Sequence, residues 1–141
     1  MKNNDVFVFQ IEPYNFEKAG QISSFVKKSL LNKNVDKLII KRVSIATYEA
    51  EINVVIHSSG GYGTVSFCDS FLEIEFIDEG PGIDDIEEAM TRGFSTASHH
   101  AMENGFGAGM GLPNIKSASD EFSLVSSPEG TRLKIGFGLE L

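Results

Sequence analysis

Hydrophobic and polar positions change period several times along the chain, and each change predicts an element. Val6, Val8 and Ile11, beside Phe7 and Phe9, make an apolar opening strand that Pro13 ends. From Phe16 the period lengthens. Phe16, Ala19, Ile22, Phe25, Val26 and Leu30 recur every three or four residues, so residues 16–32 are predicted as an amphipathic helix capped by Asn15. A break at 32–34 precedes a longer helix over 35–57, capped by Asn34 and stopped by Ser58-Ser59-Gly60-Gly61. Residues 64–69 and 71–78 read as two strands joined by a tight turn at Cys68-Asp69-Ser70. In the second, Phe71, Glu73 and Glu75 alternate with Leu72, Ile74 and Phe76, which predicts one wet and one buried face. Asp84 with Glu87 resembles a capping box opening a short helix to Met90. Residues 93–108 have no periodicity and read as a mobile loop. A short helix over 111–119 and a closing hairpin, 122–126 and 131–137 around Ser127-Pro128-Glu129-Gly130, complete the chain.

Composition narrows the class. With 141 residues, 41% hydrophobic and 23% charged, the chain is expected to fold as one globular domain spanning 1–141. A net charge of −8 argues against binding nucleic acid, whose phosphates need neutralising. The charge is uneven: residues 1–42 hold eight Lys/Arg against four Asp/Glu, and the rest hold four against sixteen. That basic share reads as solvated helix faces or as a partner-facing surface. Cys68 stands alone, so no intrachain disulfide forms, and no Cys/His spacing suits zinc. No apolar run approaches the ~18 residues of a membrane span. The expectation is a soluble, cytoplasmic protein away from membranes.

No G-x-x-x-x-G-K-[ST] string and no strict G-x-G-x-x-G occurs, so Walker-type and dinucleotide-binding readings lose their support. Three separated pieces remain. Glu49 and Asn53, four apart, project from one face of the long helix and can set a proton acceptor beside an oxygen ligand for Mg²⁺. The same pair also fits an ordinary polar stripe, and Glu51 is the discriminator: were Glu51 to share the face of the site, the assignment to Glu49 would fail. Asp78 ends an apolar strand, where a desolvated carboxylate needs donors such as the amine of adenine, and Gly80 and Gly82 allow backbone to approach a flat base. On composition alone these residues read as an acidic strand-to-turn junction that reverses the chain. Gly105, Gly107, Gly109 and Gly111 alternate in a segment that offers unobstructed N–H groups, and a helix beginning near Gly111 would point an anion-binding end inward. His57, His99 and His100 have no Ser or Cys at a diagnostic spacing and read as helix-end and loop residues, with Cys68 as a strand residue.

With these three boxes in this order and Gly130-Thr131 near the end, the chain resembles the GHKL (Bergerat-fold) ATPases, the gyrase, histidine kinase, mismatch-repair and heat-shock chaperone domains, over residues 5–137. Asp78-Glu-Gly-Pro-Gly-Ile-x-Asp-Ile, Gly93-Phe-Ser-Thr, Gly107-Ala-Gly-Met-Gly-Leu-Pro and Asp120-Glu-Phe-Ser-Leu make it similar to the bacterial anti-sigma-factor serine kinases of partner-switching systems. The resemblance implies an α/β two-layer sandwich, with a mixed, mostly antiparallel sheet covered on one face by helices and a flexible lid over about 93–111. It implies that ATP and Mg²⁺ are bound. Glu49 would be the general base for a serine hydroxyl, Asn53 the Mg²⁺ ligand and Asp78 the adenine acceptor. Gly80 and Gly82 would line the base. Gly105, Gly107, Gly109 and Gly111 would cover the phosphates, with Leu112 in the nucleotide-contacting set and Thr131 supporting the adenine network.

The implied function is an ATP-dependent serine/threonine-protein kinase and anti-sigma regulator that phosphorylates a serine on a STAS-type antagonist protein and also engages a sigma factor or another regulator. Homodimers occur in the family, and no residue here decides that state. The alternative is a nucleotide-gated binding module without significant transfer, because residues 93–111 contain no Arg or Lys to meet the terminal phosphate. Histidine kinase, gyrase or chaperone work is not expected, since each needs a further domain.

Overall fold

The computed structural model describes residues 5–57, 60–79 and 111–141. Among the described residues, five strands and three helices follow one another as β1 (Asp5–Ile11), α1 (Gln21–Asn32), α2 (Lys37–His57), β2 (Gly61–Cys68), β3 (Phe71–Asp78), α3 (Gly111–Ala118), β4 (Glu121–Ser127) and β5 (Gly130–Gly138). The sheet runs in the order β1-β2-β3-β5-β4, and the four pairings are antiparallel. This is the α+β sandwich that the resemblance implies. The predicted helix over 84–90 and loop over 93–108 lie outside the described residues.

Cross-strand partners share a face, so the register sorts the sheet into rows. Val65, Ile74 and Ile135 form one row, with Phe7 and Phe122 at its ends; Phe76 and Leu133 belong to the next, with Phe9 and Leu124. These side chains and the apolar faces of the helices form the core, in which Ile22, Val26, Leu30, Val43, Ile74 and Ile135 are fully buried. The opposite face carries Thr64, Glu75 and Lys134. On it Glu75 lies 4.0 Å from both Arg132 and Lys134.

Three predicted boundaries move, each for a local reason. The first helix starts at Gln21 rather than Phe16, because Gly20 adopts φ 97 and residues 13–19 run through turns and a bend. Asn15 does not cap that helix: its side-chain oxygen accepts the Lys18 amide at 3.3 Å and closes a turn. Phe16 and Ala19 still pack on the core, which is why their spacing looked helical. Asn34 ends α1 rather than opening α2. Its φ is 58, and the bonds Asn34 N to Leu31 O and Val35 N to Leu30 O, 3.2 and 3.1 Å, form a Schellman stop. Asp36 caps α2 instead, accepting the Leu38 amide at 3.0 Å. The second strand begins at Gly61, not residue 64. Gly63 pairs with Phe9 and Phe76 in the ladder and leaves room for α1: a Cβ there would lie 2.7 Å from Ile22 Cδ1.

Candidate active site

Two clusters of side chains gather at one end of the sheet. The row closing that end runs Ile11, Gly61, Asp78, Thr131 and Ser126 across all five strands. By the two-residue period, Asp78 continues the buried series Leu72, Ile74 and Phe76 and so faces the helices. Its Oδ1 accepts the Thr131 amide at 3.1 Å, and the Thr131 hydroxyl meets the Ser126 hydroxyl at 2.9 Å. Gly130 permits this approach. With φ 151, it passes so close to Asp78 that a Cβ would sit 2.0 Å from the Asp78 carbonyl oxygen.

The last turns of α2 reach the same end. The Tyr14 amide, just past β1, donates to Val55 O at 2.7 Å, and the Glu79 amide donates to Gly60 O at 3.0 Å. On α2, Glu49 and Asn53 turn together toward α3. A Cβ placed on Gly111 would lie 3.3 Å from both Asn53 Oδ1 and Nδ2, and 3.5 Å from Glu49 Oε2. The first residue of α3 therefore rests against the two polar groups with no side chain between them, and Leu112 packs on the core behind it. Glu49 is half-buried, and burial pushes its carboxyl above the ordinary value. A carboxylate so shifted is a stronger proton acceptor than an exposed one.

Glu51 points elsewhere. It is 1% exposed, and its Oε1 accepts the Ile22 amide at the start of α1 at 3.2 Å. Burial pushes its carboxyl up, and the amides of Ser23, Gly20, Ile22 and Gln21 pull the other way. Glu49 and Asn53 thus share one face of α2, and Glu51 lies on another.

Among the described residues no group of three or more His, Cys, Asp or Glu could hold a metal ion. The donors at Gly111 are one amide oxygen and one carboxylate around a gap that a Cβ would fill. That set fits Mg²⁺, which takes few protein oxygens and completes its shell with water and phosphate, and it does not fit zinc. Gly80, Gly82, Gly105, Gly107 and Gly109 lie outside the described residues. Glu49, Asn53, Gly111 and Leu112 come together, and Asp78 with Thr131 makes the second cluster.

Sequence reasoning missed three residues. Ser126 follows from hairpin register once Thr131 is placed. The sequence shows Glu51 only as a rival to Glu49, and its role follows from α1, which has no acidic residue in its first turn and takes a cap from outside. Arg42 grips Asp120 with two bonds, 2.9 and 3.4 Å, and Asp120 accepts the Gly138 amide at 2.8 Å, tying α2 to the β4–β5 hairpin.

An antiparallel sheet packed against helices, with an acid at the end of its central strand and a Glu/Asn pair facing a helix start, defines a class. Residues 13–137 match the histidine kinase-like ATPase domain, and the chain belongs to that family of nucleotide-using domains. It is 36% identical over 121 residues to the serine/threonine-protein kinase RsbT of Bacillus subtilis (strain 168), covering 82% of this chain and 83% of that one. It is 32% identical over 102 residues to the anti-sigma F factor of Caldanaerobacter subterraneus subsp. tengcongensis, covering 68% of each. With the anti-sigma F factor of Thermoanaerobacter sp. (strain X514) it shares 30% over 131 residues, 86% of this chain and 88% of that one. Its fold is similar to the crystal structure of the RsbU and RsbW domains of Rv1364c from Mycobacterium tuberculosis, with a TM-score of 0.63 at 15% identity over 96% of this chain and 32% of that longer one. Acinetobacter baumannii histidine kinase AdeS shares the fold at a TM-score of 0.53 and 12% identity, over 97% of this chain and 70% of that one. Among the described residues no helix is long and apolar enough to cross a membrane.

Proposed function

We propose that this chain is an ATP- and Mg²⁺-dependent protein-serine kinase of a partner-switching system, acting on a serine of a small STAS-type antagonist protein. The observation that carries the reading is the meeting of Glu49 and Asn53 at Gly111, at the end of the sheet that holds Asp78. Adenine binds at Asp78, its amine donating to the carboxylate that Thr131 orients. The triphosphate runs toward the start of α3, where free N–H groups and the helix dipole favour negative charge. Gly80, Gly82, Gly105, Gly107 and Gly109 belong to this proposal as the residues that approach the base and cover the phosphates. Asn53 holds Mg²⁺, which when bound neutralises phosphate charge. Glu49 holds the hydroxyl of the incoming serine. As the serine oxygen bonds to the γ-phosphorus and the bond to the ADP oxygen breaks, the hydroxyl proton passes to the Glu49 carboxylate. Burial of that carboxylate makes it the stronger acceptor at the moment of transfer.

The names of the relatives support a protein substrate or partner: RsbT is called a serine/threonine-protein kinase and the others are called anti-sigma F factors. An anti-sigma activity in the cytoplasm, with a sigma factor or similar regulator as second partner, extends the same reading. To test it, the purified chain is incubated with ATP, Mg²⁺ and a STAS-type antagonist, and the antagonist's mass is measured. A phosphoserine that appears only with this chain and ATP supports transfer. A complex that forms with ATP but leaves the antagonist unmodified replaces the kinase by a nucleotide-gated binding module.

A further inference from the structure

Glu51 sits between Glu49 and Asn53 in sequence and faces the other way. At 100° per residue, each of the two site residues lies about 160° around the helix from it. Among the described residues it is the only buried charged side chain. Its carboxylate meets an end of α1 that has no cap of its own: Gly20 is at φ 97 with no side-chain cap bond, and the first turn has no acid. A helix start carries unsatisfied N–H groups and a partial positive charge. Glu51 answers both from the neighbouring helix, its Oε1 accepting the Ile22 amide at 3.2 Å and its carboxyl set against the start of α1.

Such a bond fixes more than the end of α1. It pins α2 against rotation about its own axis, and rotation is what decides where Glu49 and Asn53 aim. Side-chain tips stand ~5–6 Å from a helix axis, so a turn of about 10° displaces them by ~1 Å. A displacement of that size costs on the order of 100-fold in rate when groups must meet in a reactive geometry. We propose that Glu51 is a positioning residue: clamped by the first amides of α1, it sets the rotation of α2 and so aims Glu49 and Asn53 at Gly111 and the phosphates. The proposal rests on the kinase reading of that pair.

Two conservative variants test it. Glu51→Asp keeps the charge but withdraws the carboxylate by about 1.5 Å, one bond length. Glu51→Gln keeps the reach and an acceptor oxygen but loses the charge. If reach sets the rotation, kcat for antagonist phosphorylation falls about 10- to 100-fold in Glu51→Asp while KM for ATP changes less than ~3-fold, and Glu51→Gln restores kcat to within ~5-fold of wild type. In nucleotide-free protein, the NMR signals of the Gly111 amide and the Asn53 side-chain amide move in Glu51→Asp and stay close to wild type in Glu51→Gln. A Glu51→Asp protein with both signals unmoved and wild-type kcat overturns the proposal. So does a Glu51→Gln protein more impaired than Glu51→Asp, which would make charge and stability the role. Were the wild-type chain to transfer no phosphate, the kinase reading would fail, and the two NMR signals would still decide whether Glu51 sets the aim of α2.

Discussion

The carboxylate of Asp78, the last residue of β3, accepts the backbone amide of Thr131, 53 positions later in the chain, at 3.1 Å. Two adjacent strands thereby orient one acid toward the helices. Replacement by asparagine keeps an oxygen for the Thr131 amide but removes the charge that a base amine would meet. A hydrogen bond to a charged group contributes about 1.5–3 kcal/mol, so Asp78→Asn should weaken ATP binding roughly 10- to 100-fold by calorimetry while circular dichroism stays unchanged.

Gly130 is where that orientation can be broken from the backbone. A methyl group there meets the Asp78 carbonyl at 2.0 Å in a conformation that side chains rarely adopt. Gly130→Ala should lower stability by about 1–3 kcal/mol in urea unfolding, and ATP affinity should fall with it because Asp78 must shift.

Glu49 should show the opposing demands of function and stability. Burial raises its folded pKa, so its stabilising contribution is full below the ordinary value of 4.5 and is lost as pH rises through the raised folded value. At neutral pH the charged carboxylate is therefore a standing cost. Glu49→Gln should melt at a higher temperature than wild type at neutral pH, and the difference should close as pH falls below 4.5. Wild-type transfer should slow as pH falls through the raised value, because the proton acceptor fills.

Asp120 behaves in the opposite sense. Hydrogen bonds from the Arg42 guanidinium hold its carboxyl below the ordinary value of 3.8, with the Gly138 amide acting in the same direction. Its contribution is present above 3.8 and is lost as pH falls through the depressed folded value. Asp120→Asn should thus lower the melting temperature at neutral pH, by a margin that shrinks in acid and in high salt because the pair is partly exposed.

Much of this architecture is legible in periodicity. Leu72, Ile74 and Phe76 announce a one-sided strand, and following the same period to Asp78 already puts the acid on the helix side. The Glu49–Asn53 pair is legible because four-residue spacing on a helix fixes a shared face. What stayed hidden depends on bonds that residue type and spacing do not show, two of them local and one between distant positions. Asn15 has a capping residue's chemistry, yet Gly20 delays the helix to Gln21. Asn34 can open a helix or close one, and only its bonds to α1 show that it closes one. The Glu51 contact with Ile22 spans 29 positions and joins two helices, so no local pattern marks it.

The most direct test of the central claim is Glu49→Ala, assayed side by side for ATP affinity and for transfer to a STAS-type antagonist. The account predicts ATP binding within a few-fold of wild type and loss of phosphoserine by about 100-fold or more, the usual scale for removing a general base. Transfer at the wild-type rate by Glu49→Ala would contradict it.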